Sequence, residues 1–89
     1  DAARRDVDNL KRQLAKGNLN PGKGTRILGE GYFELRGQRG GRVIVKRLGE
    51  NQFEVVGEFQ GHKLGDKANS AIINRLIEVH KNLSKGSQR

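Results

Sequence analysis

Apolar and polar side chains alternate in three short segments: YFELR at residues 32–36, RVIVKRL at 42–48 and FEVVGEF at 53–59. A period of two residues is typical of strands that bury one face of a sheet and leave the other face accessible. Glycine-rich separators at 37–41 and 49–52 predict tight turns between the segments. We therefore expect the three segments to form an antiparallel sheet.

The alternation also predicts a strand register. Pairing Arg36 with Arg42 and Arg47 with Phe53 keeps the apolar residues together, whereas a slip of one residue would scatter them. One face then carries Phe33, Leu35, Val43, Val45, Phe53, Val55 and Phe59. The other face carries Tyr32, Glu34, Arg36, Arg42, Ile44, Lys46, Glu54, Val56 and Glu58. Gly57 indicates a bulge or a close backbone approach, and the charged second face suits contact with a polyanion.

Two amphipathic segments flank this sheet. Apolar side chains recur at helical spacing in residues 1–17 and 66–85, which predicts two helices. Glycine and proline in residues 18–30 predict a loop. The helical stripes consist of Ala3, Val7, Leu10 and Leu14 in the first segment, and Ile72, Ile73, Leu76, Val79 and Leu83 in the second. The prediction is one α+β domain over 1–89: an N-terminal helix, a three- to four-stranded antiparallel sheet over 31–60, and a C-terminal helix packed on the sheet.

The charge of the chain points to an anionic partner. The 89 residues include 18 Lys and Arg against 10 Asp and Glu, so the net charge is +8, and the basic residues are spread along the whole chain. This pattern favours nucleic acid or an acidic protein that mimics it, although a soluble basic protein with no such partner stays open. The chain has no cysteine and no apolar run of the ~20 residues that a membrane span needs. Because it begins with Asp1, we expect an excised part of a longer protein.

The polar groups favour acid–base chemistry without a metal. His62 and His80 are far apart in sequence and no cysteine is present, so the chain has no typical zinc ligand set. Glu34 shares the charged face with Arg36 and Arg42, which suits a base beside two cations that stabilise a phosphorane. Opposed arginines are unfavourable unless an anion or a carboxylate lies between them.

An ordinary structural role is the alternative for these charges. The register places Lys46 opposite Glu54 and Arg42 opposite Glu58, as in common cross-strand ion pairs. In the predicted loop, Lys23, Thr25 and Arg26 accompany glycines whose backbone N–H groups suit a phosphate, or simply form a connecting turn, without the spacing of a P-loop. Ile27–Leu28 are expected to return to the core.

Three further residues have a functional and a structural interpretation. His62, in a glycine-flanked loop, suits an acid or base near neutral pH, or is merely exposed. Lys67 and Asn69 stand at the start of the second helix, where backbone N–H groups favour anions, although Asn69 also suits a local cap. His80 is expected to be structural or to interact with the helix dipole.

Several motifs resemble a toxin family. They are LKRQL at 10–14, GNLNPGKGT at 17–25, GGRVIVK at 40–46, and KAN at 67–69 ahead of INRL at 73–76. Together they resemble the C-terminal toxin domains of contact-dependent growth inhibition (CdiA-like) and haemagglutinin-like exoproteins. The helix-then-sheet layout is also similar to the barnase/EndoU/colicin/RelE-type ribonuclease group.

This resemblance implies an antibacterial, metal-independent endoribonuclease toxin with tRNA as its substrate. It implies export as the C-terminal part of a large surface exoprotein, action in the cytoplasm of target bacteria, neutralisation by a cognate acidic immunity protein, and in some systems dependence on elongation factor Tu. On matching positions it implies active-site roles for Thr25, Arg42, Lys67 and Asn69. Glu34 and His62 are candidates from the residue chemistry alone.

The sequence thus yields one candidate site and competing functions. The catalytic candidates are Thr25, Glu34, Arg36, Arg42, His62 and Asn69. The RNA-binding candidates are Lys23, Arg26, Lys46, Lys63 and Lys67. We expect no metal and no cofactor. A non-catalytic RNA- or DNA-binding module and a non-enzymatic domain that docks on an acidic protein are the alternatives; the first is disfavoured because every Phe is expected to point inward, away from stacking bases.

Overall fold

A four-stranded antiparallel sheet lies between two helices. The computed structural model describes residues 2–20, 22, 24–50, 52–61 and 65–87. The elements are α1 (Ala2–Ala15), β1 (Gly24–Gly29), β2 (Tyr32–Arg36), β3 (Gly41–Gly49), β4 (Gln52–Gln60) and α2 (Asp66–Ser87). The strands lie in the order β1-β2-β3-β4. The predicted α+β class and the order of its elements are confirmed.

Strand β1 corrects the prediction of a loop over 18–30. It pairs antiparallel with β2, with Thr25 opposite Leu35. The sequence signal is weak because glycines stand at both ends of a segment of only six residues, and glycine is depleted in strands. Ile27 was expected in the core, but this edge strand leaves its side chain 76% exposed.

The main core lies between α1 and the apolar face of the sheet. It consists of Val7, Leu10, Leu35, Val43 and Val45, all buried. Burying each such aliphatic side chain contributes about 1.5–3 kcal/mol relative to exposure. The stripe of the first helix therefore covers the sheet face as the sequence predicts.

The predicted register is correct up to the middle of β4. Arg36 lies opposite Arg42, and Arg47 lies opposite Phe53. These pairs fix the two hairpins and keep the alternating side chains on their expected faces. The three predicted strands therefore meet in the order and alignment that the sequence indicates.

A bulge in β4 then changes the faces of the residues that follow it. Ile44 lies opposite Gly57 and the next residue, Val45, lies opposite Val55, so Val56 is an extra residue on β4. Such an insertion shifts the alternation of the bulged strand by one. Gly57, next to the extra residue, allows α2 to approach the strand closely, because a Cβ there would lie 2.8 Å from the side chain of Leu76 on α2.

Two predictions beyond the bulge are therefore wrong. Phe59, not Glu58, lies opposite Arg42, and Phe59 is not on the predicted apolar face. Glu58 instead accepts contacts from α1: its carboxylate lies 3.1 Å from Nη1 of Arg4 and 3.0 Å from Nζ of Lys11. These ion pairs connect the first helix to the edge strand β4.

Helix α2 covers the middle of the second sheet face, which the sequence left open to a polyanion. Tyr32 and Ile44 on that face are buried, as is Ile73 of the helix. Leu76 packs over Gly57. The charged residues of this face are therefore divided between its two ends. In the described ranges, neither helix is long and apolar enough to cross a membrane.

Candidate functional site

Three arginines project from neighbouring strands at one end of the sheet. In an antiparallel meander the start of β1, the end of β2 and the start of β3 meet at the same end. Arg26 lies opposite Glu34, and Arg36 lies opposite Arg42. With Asn69 from the first turn of α2, these residues form what we call the arginine end.

Glu34 is held between two of the arginines. Its side chain is 3% exposed; Oε1 lies 3.0 Å from Nε of Arg26, and Oε2 lies 3.2 Å from Nη1 of Arg42. The sequence predicted a carboxylate beside two guanidiniums but named Arg36, not Arg26, as the second one. The contact with Arg42 is a charge-assisted hydrogen bond, which orients that guanidinium, and the contact with Arg26 is an ion pair. Glu34 therefore acts as a structural counterion for both guanidiniums.

Arg36 is the arginine that remains available to an anion. Its side chain is exposed, and no described carboxylate lies within 4.0 Å of it, whereas Arg26 and Arg42 share Glu34. Like charges on opposed strand positions are unfavourable, and Glu34 relieves this repulsion only on the Arg42 side. The arginine end therefore keeps an excess of positive charge.

Two buried polar atoms, a donor on the Arg42 guanidinium and an acceptor on Asn69, lie close to Gly61. Asn69, 8% exposed, donates from Nδ2 to the carbonyl oxygen of Gly61 at 3.3 Å. Its Oδ1 and the Nε of Arg42 are buried, and neither has a hydrogen-bond partner among the described atoms. A Cβ on Gly61 would lie 2.7 Å from Oδ1 and 3.0 Å from Nε. Both polar atoms thus border Gly61, and a side chain at this position would collide with them.

The other predicted site residues do not all lie at the arginine end. Lys67 is exposed in the first turn of α2, where helix N-H groups favour anions. Lys46 lies on the same face as Arg42 but four residues along β3, about 13 Å away at strand spacing. His62, Lys63 and Lys23 lie outside the described residues.

Thr25 is on the opposite face from this cluster. Its cross-strand partner is the core residue Leu35. Its Oγ1 donates to the carbonyl oxygen of Leu19 at 2.9 Å, and its backbone N–H donates to Oδ1 of Asn20 at 2.7 Å. Thr25 therefore organises the segment before β1 and does not join the arginines.

A second polar group at the other end of the sheet was not found from the sequence. The hydroxyl of Tyr32 lies 2.8 Å from Nδ1 of His80, and Nε2 of His80 lies 2.5 Å from Oε1 of Glu54. Lys46 places Nζ 4.5 Å from the centre of the Tyr32 ring, and burial raises the pKa of the Tyr32 hydroxyl. These side-chain contacts connect α2 to β2 and β4, in agreement with the structural role expected for His80. Its position seven residues after Ile73, on the same helix face, was the available signal.

An exposed ion pair lies beside this group. Nζ of Lys81 is 2.8 Å from Oε2 of Glu30. The hydrogen bond and the positive charge of Lys81 lower the pKa of Glu30, and the same hydrogen bond raises the pKa of Lys81. The pair therefore links the β1–β2 turn to α2 electrostatically.

The fold and the site define a class of protein: a small basic α+β domain with a sheet between two helices and an arginine cluster at one sheet end. Comparisons with protein-family models, curated proteins and solved structures give no match. Among the described residues, no group of three or more His, Cys, Asp or Glu is arranged to hold a metal ion.

Proposed function

We propose that this domain is an antibacterial ribonuclease toxin that binds and cleaves RNA, preferably tRNA, at the arginine end without a metal. The observation that carries the proposal is the exposed Arg36 beside the Arg42–Glu34–Arg26 group. Two guanidiniums opposite each other on adjacent strands match the charge of a ribose-phosphate chain. The net charge of +8 supports a polyanionic substrate.

The chemistry proposed for this site is transesterification. A base removes the proton of a ribose 2′-hydroxyl, the oxygen attacks phosphorus, and the P–O5′ bond breaks as an acid protonates the leaving 5′-oxygen. Arg36 and Arg42 stabilise the negative charge that develops on the phosphorane. His62 and Glu34 are the candidate acid and base. A 2′-hydroxyl is required, so DNA is not a substrate.

Arg36 gives the sharpest test of this proposal. Because its side chain is exposed and has no described counterion, Arg36→Ala should fold normally and lose ~10²-fold in tRNA cleavage measured in EDTA. Arg5→Ala removes an exposed arginine of α1 and serves as the control, with activity within about twofold of the wild type. If the purified wild-type domain leaves tRNA intact, even with added cell extract, the proposed ribonuclease activity is excluded. Equal activity of the two variants excludes Arg36 from the site.

A non-catalytic nucleic-acid-binding role is the second candidate, favoured by the buried and committed state of Glu34. It predicts salt-dependent binding of RNA without shorter products. The partner proposed for the toxin is a cognate acidic immunity protein, with elongation factor Tu as a host factor. Export as part of a surface exoprotein and action in the cytoplasm of target bacteria complete the proposal; a small acidic protein encoded next to this chain is the expected genetic sign.

A further inference from the structure

A groove remains on the sheet face that α1 covers only in part. Helix α1 ends at Ala15, and beyond its end a concavity of about 240 Å³ opens between Leu14, Ile27, Phe33 and Phe53. A second concavity joins it at Leu14 and Phe53 and extends to Val55. We call the two concavities together the apolar groove.

The walls of the apolar groove expose large hydrophobic side chains. Ile27 is 76% exposed, and Leu19 and Val55 are exposed as well. The floor includes Leu35 and Val45, which are fully buried. A continuous exposed apolar surface over an intact core is typical of an interaction site rather than of a packing defect.

The division of the groove into two small concavities favours protein side chains as its occupants. Sites for small molecules and cofactors usually enclose about 300–1,000 Å³, and the larger part of the lining here is aliphatic or aromatic. Each of the two concavities is smaller, with volumes of about 240 Å³ and about 260 Å³. One or two apolar side chains of a partner protein fit them better than a cofactor does.

The charges around the groove determine which partner is favourable. Among the residues that the structure describes, Arg47 and Lys11 are the cations that line the groove, and no acidic residue lines either concavity. Lys11 is paired with Glu58, but within the described ranges the guanidinium of Arg47 donates only to the carbonyl oxygens of Gly49 and Glu50. A second copy of this chain would bring another net charge of +8 against these cations, which opposes self-association.

We propose that the apolar groove docks an acidic protein, which inserts an apolar side chain between Ile27 and Phe53 and places carboxylates against Arg47. Electrostatic complementarity of this kind accelerates association and fixes orientation. Because the groove lies on the α1 face, the occupant leaves the arginine end on the opposite face accessible. The inference therefore goes beyond the proposed ribonuclease function and does not depend on it.

A displayed library of random 12-residue peptides tests the proposal. The library is selected on the intact domain, and a recovered peptide is then titrated against the wild type, Ile27→Glu and Leu83→Glu. The two variants make the same change in charge at exposed apolar residues, but Leu83 lies on α2 and is 68% exposed. We expect recovered peptides with an apolar residue flanked by Asp or Glu. Their Kd should rise about tenfold or more for Ile27→Glu and stay unchanged for Leu83→Glu.

Other outcomes overturn the proposal. Recovery of no peptides, of peptides without acidic residues, or of peptides that bind Ile27→Glu as well as the wild type would exclude an acidic occupant. A dimer in light scattering that Ile27→Glu dissociates would assign the groove to a second copy of the chain. Cleavage of tRNA by Ile27→Glu is measured in parallel, so that failure of the docking surface and failure of the proposed ribonuclease are separated.

Discussion

Replacing Glu34 with Gln should destabilise the domain strongly, because one buried carboxylate holds two guanidiniums. The Arg26 side chain is 54% exposed, so losing that ion pair costs at most about 1 kcal/mol. The Arg42 side chain is only 19% exposed, and a buried charge left without its counterion costs about 3–5 kcal/mol. Since Gln retains one acceptor oxygen, we expect a loss near the lower limit, about 3 kcal/mol.

Urea unfolding followed by circular dichroism measures this loss. Small domains have total stabilities of about 5–15 kcal/mol, so about 3 kcal/mol is a large fraction of the total. At roughly 4–8 °C per kcal/mol for a domain of this size, Tm should fall by roughly 12–24 °C. Replacing Glu34 and Arg42 together with apolar residues should cost less than the sum of the single changes, because neither charge is then left alone.

The reasoning is refuted if Glu34→Gln lies within about 0.5 kcal/mol of the wild type, the usual range of surface substitutions. A stable variant that cannot cleave RNA would instead make Glu34 a catalytic base. A destabilised variant that still cleaves RNA, assayed below its unfolding transition, would leave Glu34 with the structural role alone. Stability and activity therefore need to be measured on the same preparation.

Three further predictions concern contacts outside the ion-paired cluster. Gly57→Ala should destabilise the domain by about 1–3 kcal/mol in urea unfolding, because its Cβ would lie 2.8 Å from the side chain of Leu76 and overpack α2. Asp6→Ala should cost about 1–3 kcal/mol in the same assay, because its carboxylate accepts two backbone hydrogen bonds of 2.8 Å from the β2–β3 turn. Lys81→Met should raise the pKa of Glu30 toward its usual range in carboxyl ¹³C NMR titration, because the hydrogen bond and charge that lower it are removed. A carboxyl group whose pKa is lowered by folding stabilises the folded state above its unfolded-state pKa. In the wild type, this stabilisation by Glu30 should fade as the pH falls through the folded-state pKa of Glu30. The part that comes from Lys81 should be absent from the variant.

Each of these changes has a matched control. Gly65→Ala adds a Cβ that meets nothing within 4 Å, so equal losses for Gly57→Ala and Gly65→Ala would contradict overpacking. Asp8→Ala removes an exposed carboxylate of α1 that pairs with Arg4, and it should cost much less than Asp6→Ala. Lys81→Arg keeps the positive charge; if Glu30 titrates in the same way in Lys81→Arg and Lys81→Met, the charge of Lys81 does not control it.

The sequence predicted the parts of the fold in which local pattern and packing agree. Leu35, Val43 and Val45 occupy alternate positions of β2 and β3, and one register buries all three, so the central strands were predictable. Edge strand β1 was not predictable, because the glycines at its two ends, Gly24 and Gly29, weaken the strand signal. The bulge at Val56 was only suggested by Gly57. A glycine in a strand indicates either a bulge or a close approach, and the difference depends on tertiary contacts such as that of Leu76 on α2 with this strand.

The candidate site was predictable to the same degree. Alternation placed Glu34, Arg36 and Arg42 on one face, as the structure has them. It could not identify Arg26 as the second partner of Glu34, because that contact requires β1 to be a strand. The resemblance to the toxin family grouped Thr25 with the arginines, whereas its pairing with Leu35 places Thr25 on the opposite face.

The extra residue Val56 decides which helix receives the carboxylate of Glu58. If the same residues paired without the bulge, Val56 would lie opposite Ile44, and Glu58 would move away from Arg4 and Lys11 to the position opposite Arg42. An anchor of the first helix would then become an additional acid at the arginine end. In this architecture, a one-residue change in strand pairing exchanges chemistry between the two sides of the sheet without altering any side chain.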